Sequence, residues 1–205
     1  NFDDYAPPER IRYLHAPGSY EDRLRQATSL VSTKYVVLAP DDELFVPSAL
    51  EQCIRFLSSN EDFISCCGAV LALACDRVGP YWTVRYPDLQ AFETIDPDDT
   101  GRFVSHISNY RPVYYYAVFR RNEWSMLWSS VLNFNFSPIA ALELLFEGGA
   151  SFLGRTKVID SVMWVRNGII PSHHGASNPA LPVTSRFSAW WVAEEFREEK
   201  YRFVK

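Results

Sequence analysis

Three carboxylates stand side by side at Asp41-Asp42-Glu43. They follow Tyr35-Val36-Val37-Leu38, a short uncharged run that reads as a buried strand. Acids at the C-terminal end of such a strand sit at the rim of an open α/β sheet, where ligands bind. Adjacent carboxylates repel and raise one another's pKa. A divalent cation relieves that repulsion, and hard oxygen ligands suit Mg²⁺ or Mn²⁺. The triplet also reads as an acidic turn whose Asp caps the helix beginning near Pro47. Three later residues could carry chemistry. Glu143 is the lone acid in Pro138-Ile139-Ala140-Ala141-Leu142-Glu143-Leu144-Leu145. Burial would raise its pKa into the range of a base working near neutrality, whereas an exposed position would leave it ordinary. Arg166, in Trp164-Val165-Arg166-Asn167, could hold a diphosphate or lie on the surface. His173, in Pro171-Ser172-His173-His174-Gly175, offers an imidazole that can bind Mn²⁺, although paired histidines also occur in solvated loops.

The elements that must position these groups follow from periodicity and caps. Tyr20 to Val31 reads as a helix with Ser19 as N-cap and Glu21-Asp22 in its first turn. Pro47 to Ser58 reads as a second helix, with Leu50, Ile54 and Leu57 on one face. Phe63 to Ala74 is a long apolar strand with a turn or bulge at Gly68. Asp76 to Thr100 reads as loop with short strands. Val113 to Phe119 is an aromatic-rich strand candidate, and a helix runs from Arg121 to about Leu132. Ser137-Pro138 opens a further helix that stops at Gly148-Gly149. Phe152-Leu153-Gly154 and Lys157–Val165 read as a strand pair, residues 171–184 as a polar loop, and Arg186 to about Phe203 as a closing amphipathic helix.

Composition bounds the function class. The 205 residues fit one domain with a sizeable core. Net charge is −5, and the basic residues form no run longer than Arg120-Arg121, which argues against a nucleic-acid partner. Aromatic content of 15% serves a core first and sugar-binding faces second. Cys53, Cys66, Cys67 and Cys75 lie in apolar surroundings without a CxxC pair, so buried free thiols in a cytosolic protein are expected rather than zinc. No apolar run reaches the ~20 residues that span a bilayer.

The combination of these segments resembles a known family. Ile11-Arg12-Tyr13-Leu14-His15, the Tyr20–Leu30 helix, Val31-Ser32-Thr33-Lys34-Tyr35-Val36-Val37-Leu38 and Asp41-Asp42-Glu43 look like the nucleotide-sugar half of a GT-A glycosyltransferase. The likeness is to the bacterial inverting enzymes of glycosyltransferase family 2. Pro47, Ala49 and Leu50 stand where that family has "P-x-a-L", and Ser58-Ser59-Asn60-Glu61-Asp62-Phe63-Ile64 through Gly68 follows its next step. The match covers about residues 11–70; beyond that the similarity is one of layout.

The resemblance implies a mixed α/β GT-A-like (Rossmann-like) sheet flanked by helices, in a single domain over residues 1–205. About residues 1–110 would form the donor and metal half and about 111–205 the acceptor half. It implies metal-assisted transfer of a sugar, with inversion, from a nucleoside-diphosphate donor, UDP favoured, to a glycan, lipid-linked or small-molecule acceptor. Asp42 and Glu43 would face Mn²⁺ or Mg²⁺, with His173 as a further ligand. Asp41 and Arg166 would touch the donor, and Glu143 would be the base. Localisation would be cytoplasmic, or peripheral at the inner face of the membrane. Two departures stand out. The family's opening strand, reading like "V-T-V-I-I-P-T-Y-N-R", is replaced by Asn1-Phe2-Asp3-Asp4-Tyr5, and Glu43 stands where Asp is commoner. The expectation is an N-terminally incomplete domain with weak UDP-sugar binding and self-association through an exposed sheet edge. The alternatives are a non-catalytic GT-A-like binding or assembly domain, and a metal-dependent phosphoester hydrolase.

Overall fold

A computed structural model describes residues 11–40, 43–75, 77–111, 114–134, 136, 138–167 and 187–205. Asp41, Asp42, Ser137 and His173 lie outside the described residues. Two compact units are present, residues 1–31 and residues 32–205. The first contains helix α1 (Tyr20–Leu30), which starts where the sequence predicts. The Ser19 hydroxyl accepts from the backbone N–H of Asp22 at 3.1 Å, and the Asp22 carboxylate accepts from the backbone N–H of Ser19 at 3.2 Å. This capping box satisfies two N–H groups that a helix start leaves unpaired.

The second unit is mixed α/β. Its strands are β1 (Tyr35–Val36), β2 (Leu44–Phe45), β3 (Phe63–Cys75), β4 (Pro80–Arg85), β5 (Val118–Arg120) and β6 (Arg155–Asn167). Its helices are α2 (Pro47–Ser59), α3 (Asp99–Ser108), α4 (Arg121–Val131), α5 (Ile139–Leu153), α6 (Phe187–Val192) and α7 (Arg197–Phe203). The strand order is β1-β5-β3-β6-β2, with β4 paired to β3 beside this path. Only β3 and β6 run parallel to each other as neighbours; the other pairings are antiparallel. Because β5 opposes both β1 and β3, the ends of β1, β3 and β6 point the same way. Among the described residues no helix is long and apolar enough to cross a membrane.

β3 is the central strand because almost every side chain from Ile64 to Val70 is buried, with Cys66 and Cys67 both at 0% exposure on opposite faces. Gly68 sits at the expected irregularity. A Cβ there would meet the Ser161 carbonyl at 2.4 Å and Met163 Cβ at 2.9 Å, so the bulged β6 can approach only a glycine. α2 packs on this sheet through Ala49, Cys53 and Leu57, spaced by four. The last carbonyls of α2 are satisfied by a distant guanidinium. Arg120 donates to the Leu57, Asn60 and Phe63 oxygens at 2.6, 2.9 and 2.8 Å. Arg102 does the same for α5, donating to the Ser151 and Phe152 oxygens at 2.9 and 2.8 Å. The core is aromatic: Trp128 stacks on Phe146 at 4.5 Å, and Tyr115 and Phe119 meet Phe146 edge-on. A second aromatic group places Trp190 of α6 against Phe136 and Phe203.

Several sequence expectations are corrected. The Tyr35–Leu38 run is strand only at Tyr35–Val36, and it is half-buried because it is the terminal strand of the order. Tyr114–Tyr116 form a 3₁₀ turn ahead of β5, so the expected Val113–Phe119 strand is shorter and starts later. α5 does not stop at Gly148-Gly149 but continues to Leu153. Added Cβ atoms there would meet Phe103 and Leu127, each at 3.0 Å, so the glycines let α3 and α4 pack close rather than end the helix. Phe152-Leu153 therefore close a helix, and β6 follows alone from Arg155. The segment read as loop with short strands does hold a short strand, β4, but it also holds a 3₁₀ turn over Leu89–Phe92 and the start of α3. The closing helix is broken into α6, a 3₁₀ turn over Glu194–Phe196, and α7. Cys75 is exposed, unlike the other three thiols.

Candidate functional site

Register brings Glu43 to β6. Leu44 pairs with Val165, which sets the preceding residue, Glu43, beside Arg166. Ala72 of β3 flanks Arg166 on the other side, and Thr83 of β4 lies beyond it. These positions share one face, as the stacking of the paired residues Phe45 and Trp164 shows. The Glu43 carboxylate, 4% exposed, takes a bond from Arg166 Nε at 2.6 Å. Burial alone would pull the Arg166 pKa down, but Glu43 and the phenols of Tyr116 and Tyr86 outweigh it and hold the guanidinium above its ordinary value. The Arg166 guanidinium also lies 6.0 Å from the Tyr116 ring centre.

Glu143 faces the same region from α5. Burial pushes its carboxyl up to about 7, the neighbouring Glu147 adds to the rise, and Arg166 opposes it. Glu147 is one helical turn on and fully buried. Burial raises its pKa too, against the pull of His106 and the backbone N–H groups of Tyr115 and Tyr114. His106 Nε2 stands 3.1 Å from Glu147 Oε2, and the Tyr115 N–H donates to Glu147 Oε1 at 2.7 Å. His106 in turn stacks on Tyr114 at 4.5 Å and meets Tyr110 edge-on at 5.7 Å. Burial pushes the Tyr110 phenol up, and Glu147, Glu143, Tyr86 and Tyr116 add to this.

The arrangement is thus three acids (Glu43, Glu143 and Glu147), His106, the Arg166 guanidinium and the phenols of Tyr86, Tyr110 and Tyr116. Of the residues singled out from sequence, it brings together Glu43, Arg166 and Glu143. Asp41, Asp42 and His173 lie outside the described residues. Among the described residues no cluster of three or more His, Cys, Asp or Glu side chains could hold a metal ion. Glu43, charge-matched by Arg166, does not by itself fit a metal ligand. The site residues that sequence reasoning missed are Tyr86, Tyr110, Tyr116, His106 and Glu147. Glu147 carried a usable signal, its four-residue spacing from Glu143 on a helix; the rest depended on register and on α3.

No protein-family model matches the chain, and no curated protein matches its sequence.

Proposed function

We propose that the chain is a glycosyltransferase of the GT-A type, transferring a sugar with inversion from a nucleoside-diphosphate donor to a glycan, lipid-linked or small-molecule acceptor. The observation that carries this reading is a carboxylate tuned to about 7, Glu143, within electrostatic reach of the Arg166–Glu43 pair at the sheet's C-terminal rim. A base must take a proton near neutral pH, and Glu143 has the acidity for it. In the proposed step the acceptor O–H gives its proton to Glu143. Its oxygen attacks the anomeric carbon, and the bond from that carbon to the diphosphate oxygen breaks. The nucleoside diphosphate leaves with the electron pair. Arg166, held by Glu43, supplies positive potential on the side of the leaving group. Asp41 and Asp42 directly precede Glu43 in the chain and remain the proposed donor-side and metal-side acids, with His173 as a further ligand for Mn²⁺ or Mg²⁺, whereas Glu43 is engaged by Arg166. No step is routed through the metal.

The test measures UDP release from UDP-glucose, UDP-galactose and UDP-N-acetylglucosamine by the full-length protein with Mn²⁺. Glu143→Gln keeps the shape and removes the basicity, and turnover should fall ~100-fold or more with UDP affinity little changed. Near-normal turnover in that variant refutes the base assignment. Absence of both UDP binding and UDP release from the wild-type protein refutes the enzyme reading.

A further inference from the structure

Tyr86 is the one non-glycine position with positive φ among the described residues, at 55°. A left-handed backbone costs an ordinary L-residue about 1–2 kcal/mol, and glycine adopts it freely. The turn that imposes it is fixed by the Leu89 N–H donating to the Tyr86 carbonyl at 3.0 Å. Any glycine would serve that turn, so the ring is there for another reason. Packing is a weak reason, because the ring is only half-buried. Among the described residues its hydroxyl makes no hydrogen bond. Its neighbours are the members of the candidate site. Arg85 lies over the ring at 5.7 Å, and the phenol oxygen lies within electrostatic reach of Arg166 and of Tyr110. Tyr110 and Tyr116 are half-buried as well, and Tyr110 lies within electrostatic reach of Glu143 and of both other phenols.

We propose that Tyr86, with Tyr110 and Tyr116, forms a saccharide-binding wall of this site, and that its ligand is an acceptor pyranoside. The apolar C–H face of a pyranose packs on an aromatic ring, and its hydroxyls exchange hydrogen bonds with phenols. Arg85 lies over one face of the Tyr86 ring, and the proposal seats the sugar on the other. Glu143, within electrostatic reach of Tyr110, is then the group that receives the hydroxyl proton. The choice of acceptor as the ligand rests on the glycosyltransferase reading; the saccharide wall itself does not.

Saturation-transfer NMR on the full-length protein tests it, with methyl glucopyranoside, methyl galactopyranoside, methyl mannopyranoside and N-acetylglucosamine as probes, each with and without UDP and Mn²⁺. At least one probe should bind the wild-type protein through its ring protons. Tyr86→Gly should weaken that binding about tenfold or more. It should leave UDP affinity unchanged and the fold intact, since glycine suits the same backbone. Tyr86→Asn, which also tolerates the left-handed region, guards against a folding defect in the first variant. Failure of every probe to bind, or equal binding by wild type and both variants, overturns the proposal. Sugar binding that depends on Tyr86 without any UDP binding upholds the wall and removes the transferase reading. UDP binding without sugar binding does the reverse.

Discussion

Replacing Glu143 with Gln should make the protein more stable at mildly alkaline pH and leave it unchanged in mild acid. The ordinary pKa is 4.5, and burial in the folded state raises it to about 7. Below the ordinary value both folded and unfolded chains carry the proton. Between the two values the folded state holds a proton that the unfolded chain has released, so stability falls as pH rises. Above about 7 the folded state must keep a charge in a poorly solvated place. Taken whole, that shift corresponds to about 3 kcal/mol. Partial exposure of the side chain reduces the working figure to about 1–2 kcal/mol. For a chain of this size each kcal/mol moves the melting temperature by about 2–4 °C. Glutamine cannot ionise, so it escapes the loss while keeping the neutral shape. The assay is thermal unfolding of both proteins at about pH 4 and about pH 8. The curves should coincide at the lower pH, with the variant melting about 2–8 °C higher at the upper one. Glu147 imposes a similar trend on both proteins, so the quantity to read is the difference between them. A constant offset across the pH range, or none at all, would show that Glu143 is solvated and would remove the physical basis for its role as a base.

The Glu43–Arg166 bond should show as strong coupling in a double-mutant cycle. Arg166→Met should destabilise by about 2–4 kcal/mol in urea unfolding because it strands the buried Glu43 carboxylate, Glu43→Gln should cost less because Arg166 stays partly solvated, and the double variant should cost much less than their sum. Strict additivity would mean that the contact contributes nothing. His106→Ala should cost about 3–5 kcal/mol by the same assay, since it leaves Glu147 buried beside an emptied space. A loss below 1 kcal/mol, on the order of an exposed pair, would show that water reaches the site.

Local chemistry made much of this fold legible. Ser19 with Asp22 announced α1, Pro47 announced α2, and the unbroken apolar run from Phe63 announced β3, because caps and periodicity act within a few residues. Gly148 and Gly149 misled because their cause is distant. They admit Phe103 and Leu127 from other helices, and nothing in the local sequence distinguishes that from a stop. α3 was hidden for a different reason. Its Asp98 cap sits in a Pro- and Asp-rich stretch that also reads as loop, although the carboxylate takes the Gly101 N–H at 2.5 Å. The three tyrosines of 114–116 are equally good strand residues, and only packing against Glu147, Trp128 and Trp164 makes them a turn. At the site, residue type pointed to Glu43, Glu143 and Arg166 separately. That Glu43 and Arg166 would pair depended on the β2–β6 register, which no single segment encodes.

The same register fixes when the site can come into being. β2 and β3 both lean on β6, whose residues emerge from synthesis long after theirs; Cys53 of α2 and Met163 of β6, which touch where that helix covers the sheet, are 110 residues apart. Pairings so distant in sequence close slowly and late. While the ribosome is still making α5, β2 has no partner strand, β3 has an open flank, and Glu43 has no counter-ion. The acidic turn spends that interval as an uncompensated anion beside a bare apolar strand, a state in which chaperones and wrong partners compete for the chain. The Glu43–Arg166 pair and the covered flank of β3 are therefore both completed by one late event, the docking of β6, and a nascent chain halted before Arg155 would have neither.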